Sequence, residues 1–430
     1  MISFRRGYHI NRFLYTSRIL QTALTVRAAN PRKRRSQANP RSQVNPRTHP
    51  PINSPSPPKP PPTELLTLAL PSKKYGQEEL SDDHLSRLLD SALKSHPTTE
   101  LAILYLMRRY QFDLGNLNEM LLARSLDVSF SRFKYVDIAQ YVGLNPLSGF
   151  RDAPTFDVDR ARIPTPLFKL IVEDMHLALN QYGPPREHHG EEARSRFTAP
   201  IMNRLVAQLN LLIKNTPESI MQGRITTKGR VEYQFKVCGA LTILFVEVKI
   251  QLDGDDDQLN AIAQVIAEAD ACDSMNNRKN HHAPLYAILH NGYKFDFFVF
   301  DGQTKPPKFS RGLFLTPDGS KTDNLWLPFY QKSRRVRFIK ALRPICEHFY
   351  AILLRGYIAG LGLYYANSQP EAGESDKSAL AWAEAVVLGR KALKKGLEAA
   401  EMARGVGTEK EANDLAAEGF EMLKKRYVTC

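Results

Sequence analysis

From Glu64 to about Gly183, apolar side chains recur at helical spacing. "SDDHLSRLLDSALKS" opens on the capping types Ser81 and Asp82, "TTELAILYLMRRYQF" opens on Thr98 and Thr99, and "TPLFKLIVEDMHLALNQYG" stops at Gly183. After His188 the pattern changes. A helix is expected from about Glu191 to Lys214, with Phe197, Ile201, Leu205 and Leu209 on one face and Pro200 inside it. Three strand-like runs follow: "SIMQGRIT", "RVEYQFKV" and "LTILFVEVKI". Next comes a helix, "DQLNAIAQVIAEADA". "PLYAILHNGYKFDFFVF" then reads as a hairpin turning at Asn291-Gly292.

The most apolar window, Phe349 to Ala366, carries Arg355 and several glycines and tyrosines, so it reads as a buried helix rather than a membrane span. From Gln369 the chain is rich in Ala, Glu and Lys. It predicts an exposed helical hairpin broken at Gly405-Val406-Gly407, packing either on the body or on a protein partner. Its second helix opens on Thr408, with Glu411 completing a capping box.

The expected fold class is α+β (mixed α/β). A helical region (64–185) precedes an α/β unit (186–330), a buried helix (331–368) and the C-terminal hairpin (369–430).

Charge changes this picture only at the N-terminus. The net charge of +14 suggests a nucleic-acid partner, but residues 1–63 hold twelve Lys and Arg and no acid, which leaves +2 for the rest. The Arg-rich, acid-free residues 1–30 have the composition of a mitochondrial transit peptide, and "RKRR" at Arg32–Arg35 offers nuclear import as the alternative. Residues 31–63 include eleven prolines and three Asn-Pro-Arg copies, the composition of a disordered linker. The four cysteines, Cys238, Cys272, Cys346 and Cys430, have neither metal-like nor disulfide-framework spacing, and this fits a reducing compartment.

"LTILFVEVKI" poses the chemical question, because an apolar strand ends in Glu247 and Lys249 on one face. With a tight turn over Val237–Ala240, Glu232 lies opposite Phe245. It then becomes a diagonal neighbour of Glu247, about 7–8 Å away at the backbone. A turn one residue longer would break this arrangement. Two carboxylates and a lysine meeting at a buried strand end are costly unless something compensates. A hard divalent cation does so: Mg²⁺ accepts one or two carboxylates and completes its shell with water and phosphate oxygens.

On these residues the segment 187–301 resembles the PD-(D/E)XK nuclease superfamily, and more narrowly the nuclease-like domains of fungal proteins. The resemblance implies a restriction-endonuclease-like αβββαβ core and Mg²⁺-dependent (or Mn²⁺-dependent) cleavage of DNA or RNA. It implies that Glu232, Glu247 and the carbonyl of Val248 bind the metal, that Lys249 supports the attacking water, and that Glu192 (or Glu191) and Gln264 assist, with Gln258 behind Gln264. The chain has Glu232 where that family usually has Asp, and no Pro-Asp pair precedes the motif.

Each residue also has a plainer explanation. Glu247 and Lys249 suit a charged strand end, Glu191 and Glu192 suit a first helical turn, and Gln264 points away from the apolar face of Leu259, Ile262, Ala263 and Ile266. Two further functions stay open: a degenerate copy of the same fold that binds nucleic acid or protein, and an interaction protein acting through its helices. "EHHGEE" (Glu187 to Glu192) and His281-His282 read as solvated loops. "DGDDDQ" from Asp253 has Gln258 where a calcium loop needs glycine, so it reads as a turn capping the next helix. Gly356, Gly360 and Gly362 follow no strand and make a poor phosphate cradle.

Overall fold

A computed structural model describes residues 82–424, apart from breaks at 111–113, 210–211, 240, 317, 329–333, 368–375 and 406–407. The expected targeting segment and proline-rich linker lie outside the described residues.

Four helices come first: α1 (Asp82–Ser95), α2 (Thr99–Tyr110), α3 (Leu114–Ala123) and α4 (Tyr135–Ile138). Strand β1 (Thr155–Asp157) and helix α5 (Thr165–Tyr182) follow. The single helix expected over 191–214 is instead two short ones, α6 (Glu191–Ser195) and α7 (Ala199–Val206), and a strand starts at Ile213. Three consecutive strands come next, β2 (Ile213–Met221), β3 (Gly229–Val237) and β4 (Leu241–Val248), then the long α8 (Asp255–Asn277). The expected hairpin is β5 (Leu285–His290) and β6 (Lys294–Asp301), turning through Gly292 at φ +90°. Strands β7 (Lys308–Leu315), β8 (Lys321–Thr322) and β9 (Leu325–Trp326) complete the sheet. The chain ends in α9 (Arg335–Asn367), α10 (Asp376–Met402) and α11 (Glu409–Lys424).

The architecture is mixed α+β, built on one mixed sheet of nine strands in the order β1-β7-β6-β5-β4-β3-β2, with β8 on β7 and β9 on β6. The pairs β4–β5 and β1–β7 are parallel, and the others are antiparallel. Strand side chains alternate, so each strand feeds two cores. Phe245, Leu289, Phe298 and Phe300 pack with α1–α4 and α8. Leu244, Val246, Ile288 and Phe297 pack with α5, α7, α9, α10 and α11. Residues 82–185 are therefore not a separate helical region: they cover the sheet and add β1 to its edge.

The C-terminal hairpin closes the second face. Trp382, Ala385, Phe420 and Leu423 join that core. Buried Glu347 on α9 receives Arg160 at 2.7 Å and Arg343 at 2.9 Å. Arg162 pairs with Glu409 and donates to Asn413 on α11. The hairpin packs on the body. The Thr408 hydroxyl donates back to Met402 and Gly405 carbonyls across the α10–α11 connection. Among the described residues no helix is long and apolar enough to cross a membrane.

Candidate active site

The register at β3–β4 differs from the expected one in two compensating ways. Val237 pairs with Leu241, so the connection is one residue longer than a tight turn. That alone would turn Glu247 to the wrong face. A β-bulge restores the parity: Phe235 pairs with Leu244 and Lys236 with Thr242, leaving Ile243 as the extra residue. Ile243 and Leu244 both enter the α9-side core. Phe245 and Glu247 then face α8. Tyr233 pairs with Val246, so Glu232 falls directly across from Glu247 rather than diagonal to it.

Lys249 and Gln264 bond Glu247 directly, and Glu191, Glu268 and Glu232 join the cluster around them. Lys249 Nζ lies 2.7 Å from Glu247 Oε1 and donates to Glu191 Oε1 of α6 at 3.2 Å. Gln264 on α8 donates to Glu247 Oε1 at 2.6 Å and to Glu268 Oε1 at 2.8 Å. Glu232 accepts from the Val248 amide at 3.1 Å. Glu247 and Glu268 are buried, at 1% and 0% exposure. The second oxygen of each, Oε2, receives no N–H or hydroxyl among the described residues, and the two carboxyl groups hydrogen-bond to each other.

Glu192 does not join this cluster. Its side chain is 87% exposed and pairs with Arg196 at 3.3 Å. Glu191, its neighbour in the same first turn, is the acid that reaches Lys249. Gln258 does not join it either; its amide continues α8, bonding to the Gly254 carbonyl at 2.9 Å.

Two residues that the pattern hid complete the arrangement. Glu268 follows Gln264 by one helical turn, so both share a face of α8. Buried Arg194 donates to the carbonyls of His188 at 3.1 Å and Asn291 at 3.4 Å, and to that of Ile250. It thereby ties α6 to the chain leaving β4 and to the β5–β6 turn. His290 beneath it is structural. Its Nδ1 accepts from the Gly292 amide at 3.1 Å, so its Nε2 donates to the Thr198 hydroxyl at 2.7 Å. Burial lowers its pKa to about 3.

The electrostatics follow from four carboxylates sharing one ammonium away from water. Burial, then the Glu247 and Glu191 carboxylates, push Glu232 up to about 8. Burial raises Glu247, with Lys249 opposing it. Burial and the Glu247 charge raise Glu268 well above the usual carboxylate range. Glu268 lacks a cation of its own, so it is the partner that keeps a proton. Burial works against the Lys249 ammonium, but Glu247 and Glu191 hold its pKa above the ordinary value.

The donors are carboxylate oxygens, the type a hard cation takes. Among the described residues no group of three or more His, Cys, Asp and Glu side chains is placed to hold a metal ion. Water and substrate oxygens would have to supply most of such an ion's shell. The sequence matches no protein-family model and no curated protein.

Proposed function

We propose that the cluster around Glu247 is the active site of a Mg²⁺-dependent nuclease (Mn²⁺ substituting) that hydrolyses phosphodiester bonds of DNA or RNA. The observation that carries this reading is the buried pair Glu247 and Glu268, bridged at their Oε1 atoms by Gln264, with Lys249 on Glu247. The chain order supports it. An antiparallel β2–β3–β4 meander leads into α8 and then into β5, parallel to β4. That is the order of the αβββαβ core expected from the PD-(D/E)XK resemblance.

Glu232 and Glu247 would hold the ion, with the Val248 carbonyl beside them and Glu268 as a further ligand once it gives up its proton. When bound, a divalent cation would supply a Lewis acid for the phosphate and a more acidic water. Lys249 would orient the attacking water and offset charge growing on the phosphate. Glu191 holds the Lys249 ammonium in line. Gln264 keeps the two buried carboxylates at fixed separation by donating one N–H to each.

Cleavage of labelled DNA and RNA by the purified protein tests this, with Mg²⁺, Mn²⁺ or chelator and with Glu247→Ala and Lys249→Ala. Metal-dependent cutting abolished by both substitutions is the expected result. A second reading, a non-cutting binding module of the same fold, is favoured by Lys249 being already paired with two acids. Nucleic-acid binding without cutting under any metal would establish it.

A further inference from the structure

We infer that the cleft between α2 and the β2–β3 and β6–β7 connections is a second binding site, for a phosphate monoester with an apolar or aromatic body. It is separate from the Glu247 cluster and does not depend on metal chemistry there.

The separation follows from the sheet. Glu247 aligns with Leu289, and Leu289 with Asp296. β6 continues past Asp296 to Asp301, about 17 Å further on at about 3.4 Å per residue. Gly302, which lines the cleft, comes next.

Arg224 forms the fixed wall. It lies between β2 and β3 and is tied to α8 from beneath. Its backbone amide donates to Asp270 Oδ2 at 2.7 Å, and its guanidinium to Asp270 Oδ1 at 2.8 Å and Asp273 Oδ2 at 2.5 Å. Tyr141 donates to Asp270 Oδ1 at 2.7 Å, and Asn277 to Asp273 Oδ2 at 2.8 Å. Both aspartates are buried. Two glycines pack tightly on them. A Cβ on Gly223 would lie 2.8 Å from Asp270 Oδ2, and one on Gly302 would collide with Asp273 Oδ2. The arginine is therefore held in place. An arginine side chain has five N–H donors. The aspartates take one from each terminal nitrogen, and the rest have no acceptor among the described residues. The side chain is 29% exposed.

Two further cations flank it. Arg108 of α2 and Lys305 of the β6–β7 connection line the same cleft, and both are exposed. Neither joins an ion pair among the described residues. Arg108 is oriented by donating to Gln140 Oε1 at 2.9 Å. Leu104, Met107 and Ile225 give the cleft apolar walls, and its volume is about 370 Å³, which falls among small-molecule sites. Asp270 and Asp273 offset the charge of Arg224, so Arg224 contributes directed donors. The excess positive charge comes from Arg108 and Lys305. Two cations match the charge of a phosphate monoester, which is about −1.5 to −2 at neutral pH, and its oxygens accept from Arg224. A carboxylate would leave one cation unmatched. The apolar walls take the body of the ester.

The test titrates the full chain in chelator, so that no metal at Glu247 holds phosphate, and reads affinity by calorimetry. Probes are AMP, phenyl phosphate, adenosine and inorganic phosphate. AMP or phenyl phosphate should bind, with inorganic phosphate about tenfold weaker and adenosine silent. Whichever ester binds more tightly separates a nucleotide site from one for simpler aromatic phosphates. Arg108→Ala and Lys305→Ala should each weaken binding about tenfold. Both side chains are exposed, so the variants fold. Arg337→Ala removes an exposed cation at the start of α9, on the other side of the sheet, and should change nothing.

Failure of both esters to bind at millimolar concentration would overturn the inference. So would adenosine or inorganic phosphate binding as tightly as the esters, or a loss in Arg337→Ala equal to that in Arg108→Ala.

Discussion

Ile243, the extra residue of the β4 bulge, sits against Gly356 of α9: a Cβ on that glycine would lie 2.7 Å from the Ile243 Cβ. The bulge that turns Glu247 toward α8 is thus seated in a notch that only glycine leaves open. Gly356→Ala should force the strand and helix apart, at a cost of about 1–3 kcal/mol, and weaken Mg²⁺ binding as well. Gly362, six residues on in the same helix, has nothing within 4 Å of an added Cβ. Gly362→Ala should gain up to about 1 kcal/mol from helix propensity. Denaturant midpoints and metal titrations of the two variants check this, and equal behaviour would remove the notch from the account.

Glu268→Gln should stabilise the metal-free protein, because it replaces a buried acid lacking its own cation with a neutral isostere. The same change should shrink the rise in melting temperature that Mg²⁺ produces. Gln264→Ala should act oppositely on the metal-free form, costing about 1–3 kcal/mol by leaving Glu247 and Glu268 unbridged. Added Mg²⁺ should restore part of that loss through linkage. Thermal melts with Mg²⁺ and with chelator read all four values.

Asp296 supplies a pH test away from the cluster. It is buried, its Oδ2 has no hydrogen-bond partner, and Lys294 is 3.9 Å away. Burial raises its pKa to about 7, with Lys294 opposing. A raised acid favours the folded state while it is protonated. Its contribution is complete below about pH 4 and is lost as pH rises through about 7, on the order of 4 kcal/mol in all. Asp296→Asn should flatten that decline, as seen in denaturant midpoints at pH 4.5 and 7.5. An unchanged slope in the variant would show that Asp296 ionises freely.

Glu191 and Glu192 should separate cleanly. Glu192→Ala is expected within about 0.5 kcal/mol of the parent, with unchanged cutting, because its pairing is a surface one. Glu191→Ala removes the second acid holding Lys249, so the turnover of cutting should fall more than substrate affinity. Arg194→Ala should cost about 3 kcal/mol, since it strands buried carbonyls of three segments.

Much of this was legible in the hydrophobic pattern. β4, the Asn291-Gly292 hairpin and the middle of α8 all stand out, because each is either fully buried or marked by a turn residue. The segment 191–214 misled because β2 is an edge strand with mostly exposed residues, so it shows no alternation, while Pro200 fits a first helical turn. Glu247, Lys249 and Gln264 carried their own signal. The register did not, since neither the longer connection nor the bulge leaves a mark on residue types. Glu268 was hidden by its setting: α8 is buried on nearly every side, so a buried acid there resembles its exposed neighbours in sequence. Glu191 and Glu192 were interchangeable as letters, and only the Arg194 tie separates them.

The two-sided cover of the sheet limits how this protein can be cut or borrowed. A fragment spanning only 186–330 would carry Glu232, Glu247, Lys249, Gln264 and Glu268. It would lack α1–α5 on its upstream side and α9, with the Gly356 notch, on its downstream side. Only α8 would then remain over Phe245, Phe298 and Phe300 on one side, and only α6 and α7 over Leu244, Val246 and Phe297 on the other. The letters of the cluster are contiguous enough to look like a portable cassette, yet the chain that keeps them dry runs from α1 to α11. Recombination or truncation inside that span should yield aggregates rather than a smaller folded protein.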